Sequence, residues 1–180
     1  PSERNLYKHI YGTEVIFEEA DEDLRFRWSL TTCEPYGFVK ECRLENRSGA
    51  PIEVRYLDGW HQMLPPSISQ GTYGELSYLA AAYMRHEALS DGLGVYTMNA
   101  RLTDRAEACE SLRAACAWSL GHENPVILLS DRQVEAFRKG LPVEAETEIR
   151  GEMGAYLAAS TATIHNELSW VAVLDTWMDQ

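Results

Sequence analysis

Residues 36–59 read YGFVKECRLENRSGAPIEVRYLDG, and this stretch decides the fold class. Its first half places apolar side chains at alternate positions, with Lys40 as the exception on that face. The second half alternates in the same way from Ile52 to Tyr56. A period of two is typical of strands that bury one face. Because segment 46–51 is rich in Asn, Ser, Gly and Pro, the stretch predicts two antiparallel strands joined as a hairpin.

The same alternation recurs along the chain and predicts roughly eight to ten strands in all. The clearest further cases are the segments 24–30, 95–99, 115–120 and 144–177. The last of these predicts three strands, with turns at 151–154 and 165–166. Many short strands separated by tight turns are typical of a mainly β fold, an antiparallel β-sandwich.

Two segments have helical spacing, and we expect them to form helices inserted into the sandwich, at about 72–89 and 131–139. Each contains the spacing of a capping box, Thr72 with Glu75 in the first and Ser130 with Gln133 in the second. The segment 103–114 has mixed preferences, and we interpret it as a loop or a short turn.

The composition is that of a soluble globular protein, with 180 residues, 45% hydrophobic and 24% charged. This length predicts one domain, residues 1–180. The net charge of -12 opposes a nucleic-acid or anionic-membrane partner, because such partners are bound largely through Lys and Arg. The chain begins without Met, so we expect it to be a piece of a longer protein.

No apolar run approaches the length of a membrane span, and the N-terminus has no hydrophobic signal core. The cysteines show no C-x-x-C pair; they are Cys33, Cys42, Cys109 and Cys116. Free thiols in a reducing cytoplasm are the first interpretation, and a disulfide is the alternative.

Motifs that carry catalysis are absent from the sequence. The five histidines are scattered, so neither a metal site nor a cofactor is predicted. The chain has no G-x-S-x-G, G-x-G-x-x-G or G-K-[ST] motif. Carboxylates lie near strand ends and helix starts, where capping and turn formation already explain them, at Asp58, Asp104, Asp131 and Asp175. No catalytic residue is therefore predicted.

Aromatic residues after the predicted strand 52–57 indicate a sugar-contact surface. Trp60 follows the expected strand end and precedes a Pro-Pro loop, so its ring could be partly exposed. Aromatic faces together with polar side chains bind sugar rings. The predicted contact residues are Asp58, Trp60, His61 and Tyr73. The alternative for Trp60 is that its ring closes the end of the sandwich, with Trp28, Trp118 and Trp170 as core residues.

Several motifs resemble those of a known domain family. The pattern L-x-N-x-S followed by I-E-V lies at 44–54, R-G-x-x-G-A-Y-L at 150–157, and W-V-A-V-L-D at 170–175. Their order is similar to that of the N-terminal β-super-sandwich domains, galactose-mutarotase-like in fold, of cellobiose and chitobiose phosphorylase-type enzymes. The resemblance implies a domain that packs on a helical barrel, which supplies the catalytic acid. No catalytic residue carries over to this chain.

Three functions follow from these observations. The first is a non-catalytic β-sandwich domain of a larger carbohydrate-active protein, with a sugar and the catalytic domain of the same parent chain as partners. The second is a sugar epimerase of mutarotase type, using Asp58 with His61, or His122 with Glu123, as acid and base. The third is an interaction module that forms a homo-oligomer through the predicted helix 72–89.

Overall fold

The computed structural model describes residues 2–34, 36–66, 68–101 and 111–179, with the backbone alone for 176–179. In the first part of the chain the strands are β1 (Glu3–Lys8), β2 (Glu14–Ala20), β3 (Leu24–Cys33), β4 (Gly37–Asn46) and β5 (Ile52–Met63). Helix α1 (Gln70–Ala82) follows, and then β6 (Met84–Ala88), β7 (Gly94–Met98), β8 (Arg113–Leu120) and β9 (Val126–Leu128). The last elements are α2 (Val134–Arg138), β10 (Glu148–Arg150), β11 (Gly154–Ile164) and β12 (Glu167–Asp179).

The strands form two sheets of unequal size. The larger has nine strands in the order β1-β2-β3-β4-β12-β8-β7-β6-β10, and the smaller has three in the order β5-β11-β9. Every pairing among the described strands is antiparallel. The prediction of a mainly β, antiparallel β-sandwich is confirmed.

The stretch that decides the fold forms two strands, as predicted, but the hairpin prediction is wrong. β4 pairs with β3 and β12 in the larger sheet, whereas β5 pairs with β11 in the smaller one. The loop between them therefore carries the chain from one sheet to the other. The Asn46 side-chain amide stabilises this crossing by donating to the carbonyls of Ala50 (2.6 Å) and Ile164 (2.8 Å). Since each strand has an apolar face, stacking them across the core buries both faces.

β5 also runs farther than predicted, since it continues through Asp58 and Gly59 to Met63. Gly59 has a φ of 152°, and a Cβ atom at this position would lie 1.9 Å from the carbonyl oxygen of Tyr156 on β11. The close approach of the two strands thus requires a glycine. Asp58-Gly59 is part of the strand and does not end it.

Apolar clusters fill the space between the sheets. One contains Tyr96 and Tyr156, both almost fully buried. The other contains Tyr56 and Trp170, and Trp28 packs against it from β3. Residues from both sheets meet in each cluster, so the sandwich is held together mainly by apolar burial.

The helix predicted at 72–89 is too long. α1 ends at Ala82 and is followed at once by β6, which pairs with β7 and β10. Met84 and His86, two residues apart, are both fully buried on one face of β6. Strand pairing satisfies the backbone here and buries these side chains, and so tertiary packing overrides the local helical preference.

Both predicted capping boxes are wrong. The cap of α1 is Ser69, whose hydroxyl accepts from the backbone N–H of Thr72 at 3.0 Å. α2 covers a shorter segment than the predicted 131–139, and its N-cap, Gln133, makes no capping hydrogen bond with its side chain. Ser130 and Gln133 instead donate to the carboxylate of Glu146, at 3.0 and 2.9 Å. Glu146 thus ties this segment to the part of the chain that leads into β10.

The segment around α2 covers the outer face of the smaller sheet, where Val134 and Val143 pack near Leu57 and Val126. Most of the predicted loop 103–114, with Cys109 and Asp104, lies outside the described residues, and β8 begins at Arg113. In the parts of the chain that are described, none of the helices has the length and apolar character needed to cross a membrane.

Candidate functional site

The four predicted sugar-contact residues do not form one surface. On β5, Asp58 faces the core with Tyr56, whereas His61 is exposed and pairs with Asp131 at 3.2 Å. Trp60 is half-buried against the first core cluster. Tyr73, on α1, packs in a separate cluster with Met84 and Met98. The structure therefore places these side chains in different environments.

Asp58 is the centre of a polar cluster between the sheets. Its carboxylate forms an ion pair with Lys40 of β4. Its other oxygen accepts from the indole N–H of Trp170 at 2.8 Å and from the thiol of Cys42 at 3.3 Å. The side chains of Lys40 and Asp58 are only 16% and 11% exposed. We call Lys40, Cys42, Asp58 and Trp170 the inter-sheet polar cluster; it joins β4, β5 and β12.

Burial and the neighbouring charge keep the Cys42 thiol of this cluster from acting as a nucleophile. Burial, followed by the charge of Asp58, raises the pKa of the Cys42 thiol well above its ordinary value of 9.0. The thiol is therefore protonated at neutral pH and acts as a hydrogen-bond donor, since only the thiolate is a strong nucleophile. Because both Asp58 oxygens already accept hydrogen bonds, the cluster satisfies itself.

His122 lies beside this cluster and contacts aromatic rings. Its Nδ1 is 3.2 Å from the hydroxyl of Tyr56, and its ring centroid is 5.8 Å from that of Trp170. Burial lowers the pKa of His122 below 6.5, and the charge of Asp58 opposes that effect. The His122 ring thus contacts Tyr56 and Trp170, whereas the mutarotase hypothesis pairs His122 with Glu123 as acid and base. Neither acid-base pair of the mutarotase hypothesis is brought together among the described contacts.

A second polar region lies on the opposite face of the larger sheet. The register places Arg27 of β3 directly opposite Arg43 of β4, and Ser29 directly opposite Glu41. Leu24, Phe26 and Trp28 alternate with these residues and face the core. Four polar side chains therefore form a block on the outward face of two neighbouring strands.

Depressions in the surface follow this block. One of about 240 Å³ and one of about 390 Å³ share Arg27 and Arg43 in their walls. We call this region the open-face groove; the charged and hydroxyl side chains that line it are Glu14, Glu18, Arg25, Arg27, Ser29, Glu41, Arg43, Glu45 and Ser169. The larger depression alone is within the range of about 300–1,000 Å³ typical of small-molecule sites.

Ion pairs use only part of the charge in the groove. Arg25 pairs with Glu45 at 3.3 Å, and Arg43 pairs with Glu167. Arg27 forms no ion pair with any described residue, although it lies opposite both Arg43 and Glu18 in the register. Arg27 therefore has one like-charged and one oppositely charged cross-strand neighbour, and its guanidinium is not held by an ion pair to either of them.

Sequence reasoning missed the groove, although the signal was partly visible. The alternation of Arg25 and Arg27 with apolar residues indicated a solvent-facing row on β3, and Glu41 and Arg43 indicated another on β4. The register that aligns the two rows depends on strand pairing, which alternation does not specify.

Comparisons with known proteins found distant similarity to solved structures. No family model and no curated protein matches the chain. Among solved structures, the chain is similar to the heparinase III-BT4657 gene product, at 8% identity and a TM-score of 0.36, over 97% of this chain and 21% of that one. It is also similar to the 4-alpha-glucanotransferase from Thermococcus litoralis, at 12% identity and a TM-score of 0.31, over 97% of this chain and 22% of that one. Both names denote carbohydrate-active enzymes, and the chain spans about a fifth of their length.

Proposed function

We propose that the chain is a non-catalytic β-sandwich domain of a larger carbohydrate-active protein and that it contacts sugar through the open-face groove. The observation that carries the proposal is the outward block of Arg27, Ser29, Glu41 and Arg43 in a depression of about 390 Å³. Guanidinium groups donate hydrogen bonds, carboxylates accept them, and a serine hydroxyl does both. Such a set matches the hydroxyl groups of a saccharide, which also donate and accept.

A binding role suits this groove better than catalysis. An apolar, buried setting raises the pKa of a carboxyl group and so favours its action as a general acid near neutral pH. Glu41 and Arg43 are exposed on the sheet surface. The carboxylate of Asp58, which is enclosed between the sheets, has both of its oxygens occupied by protein donors. We therefore place the proposed sugar contact in the groove and give Asp58 a structural role.

Apolar side chains on the surface support the second part of the proposal, that the chain packs on a further domain. Helix α1 buries Ala80 and Ala81 against the sandwich, yet Tyr78 is 93% exposed and Leu79 is 51% exposed. Surface helices normally present polar residues to solvent. An apolar outer side is typical of a surface that another domain covers.

Calorimetric titration with neutral oligosaccharides of several linkages tests the proposal. We expect binding by the native chain, and a loss of at least about tenfold in affinity for Arg27→Met, because the variant removes a charge-assisted donor. Arg4→Met is the matched control, since Arg4 is also exposed but lies on the edge strand β1, where it pairs with Glu19. Binding that is the same in both variants would rule out the groove.

The same preparations test the absence of catalysis. Incubation with oligosaccharides, with and without inorganic phosphate, should release no reducing sugar and no sugar phosphate. Turnover that survives purification and is lost in a groove variant would show that the domain is an enzyme.

A further inference from the structure

We propose that the open-face groove selects neutral saccharides and rejects acidic ones such as uronates; this rests on the proposed sugar-binding function. The charges that line the groove carry the inference. Three arginines face it, Arg25, Arg27 and Arg43. Five carboxylates lie in or beside it, Glu14, Glu18, Glu41, Glu45 and Glu167.

Pairing within the protein leaves the same excess of two negative charges but reduces the number of cations that a ligand can use. Two of the guanidinium groups already have carboxylate partners, Arg25 with Glu45 and Arg43 with Glu167. Of the groove charges, those without an ion pair to any described residue are one cation, Arg27, and three anions, Glu14, Glu18 and Glu41. A ligand in the groove therefore meets a surplus of negative charge.

This surplus opposes an acidic sugar without opposing a neutral one. A uronate would bring its carboxylate close to the carboxylates of Glu18 and Glu41, and the single favourable partner would be Arg27. A neutral ring offers hydroxyl protons to the same carboxylates and accepts from Arg27. The net charge of the chain, -12, adds a long-range repulsion of the same sign.

The positions of the charges favour a defined orientation of the ligand. Arg27 lies between Glu18 on β2 and Arg43 on β4, in one row across the sheet. Ser29 and Glu41 form the next row. Neighbouring rows on one face are about 7 Å apart and neighbouring strands about 5 Å apart. Arg27 can thus donate to one edge of a sugar while Glu41 accepts from another.

The test uses ligand pairs of equal length and linkage in which a carboxylate replaces the C6 hydroxymethyl group, namely cellopentaose with its C6-oxidised uronate form and maltopentaose with its uronate form. Affinities are measured by calorimetry at about 20 mM and about 300 mM NaCl, because exposed charges are screened at the higher concentration. We expect the neutral member to bind on the order of tenfold more tightly at low salt, and the difference to shrink at high salt.

A charge-neutralising variant separates this inference from the proposed function. In Glu14→Gln/Glu18→Gln/Glu41→Gln we expect the preference for the neutral member to fall to within about twofold, since the repelling charges are gone. Glu3→Gln/Glu22→Gln/Glu53→Gln removes the same number of charges from outside the groove and should keep the preference. Far-ultraviolet circular dichroism checks that each variant is folded.

The outcomes test the neutral-sugar inference and the proposed function separately. Equal or tighter binding of the uronates by the native chain would overturn the neutral-sugar inference and leave the proposed function standing. A preference that is unchanged in the groove triple variant would also overturn the inference. Failure of the native chain to bind any of the four ligands or the wider neutral panel would overturn both.

Discussion

Strand β4 carries charged side chains on both of its faces, and the surroundings of the two faces differ. On the inner face Lys40 pairs with Asp58 inside the inter-sheet polar cluster. On the outer face Glu41 and Arg43 line the open-face groove. On the inner face the protein supplies a partner for each charge. On the outer face some hydrogen-bond donors and acceptors have no protein partner among the described residues and are open to a ligand.

Burial explains this difference. A charge removed from water is costly unless it is paired and hydrogen-bonded, so the fold must supply all the partners of Asp58. An exposed charge is solvated, and an exposed ion pair contributes only about 0–1 kcal/mol. The same residue types therefore stabilise the sandwich on one face of β4 and remain available for binding on the other.

Removal of the buried carboxylate should have the largest effect on stability. We expect Asp58→Ala to lower the free energy of unfolding by about 3–5 kcal/mol, because Lys40 is left buried without a counter-charge. The indole N–H of Trp170 also loses its acceptor. Urea unfolding followed by tryptophan fluorescence measures the change.

Two further variants make this prediction specific. Arg43→Met breaks the exposed pair with Glu167 and should cost no more than about 1 kcal/mol. Lys40→Met/Asp58→Leu removes both buried charges and should recover much of the loss. If Asp58→Ala were as mild as Arg43→Met, the contrast between the two faces of β4 would be wrong.

Local pattern was enough to predict the strands but not their partners. The alternation in 36–59 identified β4 and β5 correctly, because one apolar face per strand leaves a period of two in the sequence. It suggested a hairpin because turn residues lie between the strands. The assignment of β4 and β5 to different sheets depends on pairing with β12 and β11, at positions about 90 or more residues farther along the chain.

The candidate site shows the same limit. Lys40 stood out as the charged exception on an apolar face, and Asp58 stood out beside a glycine. Their pairing, and the hydrogen bond from Trp170 across 112 positions of sequence, arise only when the sheets stack. Without the register of the β3–β4 pairing, the arginines of the two strands appear in the sequence as two unrelated solvent-facing rows. The groove could therefore not be predicted.

Acidification should weaken the inner region by a moderate amount. Burial lowers the pKa of His122 below its ordinary value of 6.5 in the folded chain. At pH values between 6.5 and the lowered pKa of the folded chain, the unfolded chain binds a proton that the folded chain does not. Stability therefore falls as pH drops through 6.5. Urea unfolding between about pH 7.5 and 5.5 should show this decline.

A variant without the imidazole tests the assignment. His122→Phe keeps an aromatic ring beside Trp170 and removes the titrating group, so its decline over the same pH range should be smaller. Part of the decline should remain, because burial also lowers the pKa of His86. Arg27→Met should keep the native pH dependence. If the stability of His122→Phe declined with pH as steeply as that of the native chain, the decline would come from His86 or from other groups.

The smallest effect on stability is expected in the groove, and it sharpens the comparison most. Arg27→Met should change the free energy of unfolding by no more than about 0.5 kcal/mol, the usual range for a surface substitution away from special contacts. The like-charged Arg43 on one side of Arg27 and the oppositely charged Glu18 on the other have opposing effects, which keeps the net change small. Urea unfolding of Arg27→Met and Asp58→Ala under the same conditions measures the change in the free energy of unfolding for both variants. A loss above about 1 kcal/mol would mean that Arg27 helps to hold the sheet together, and its guanidinium would then not be spare for a ligand.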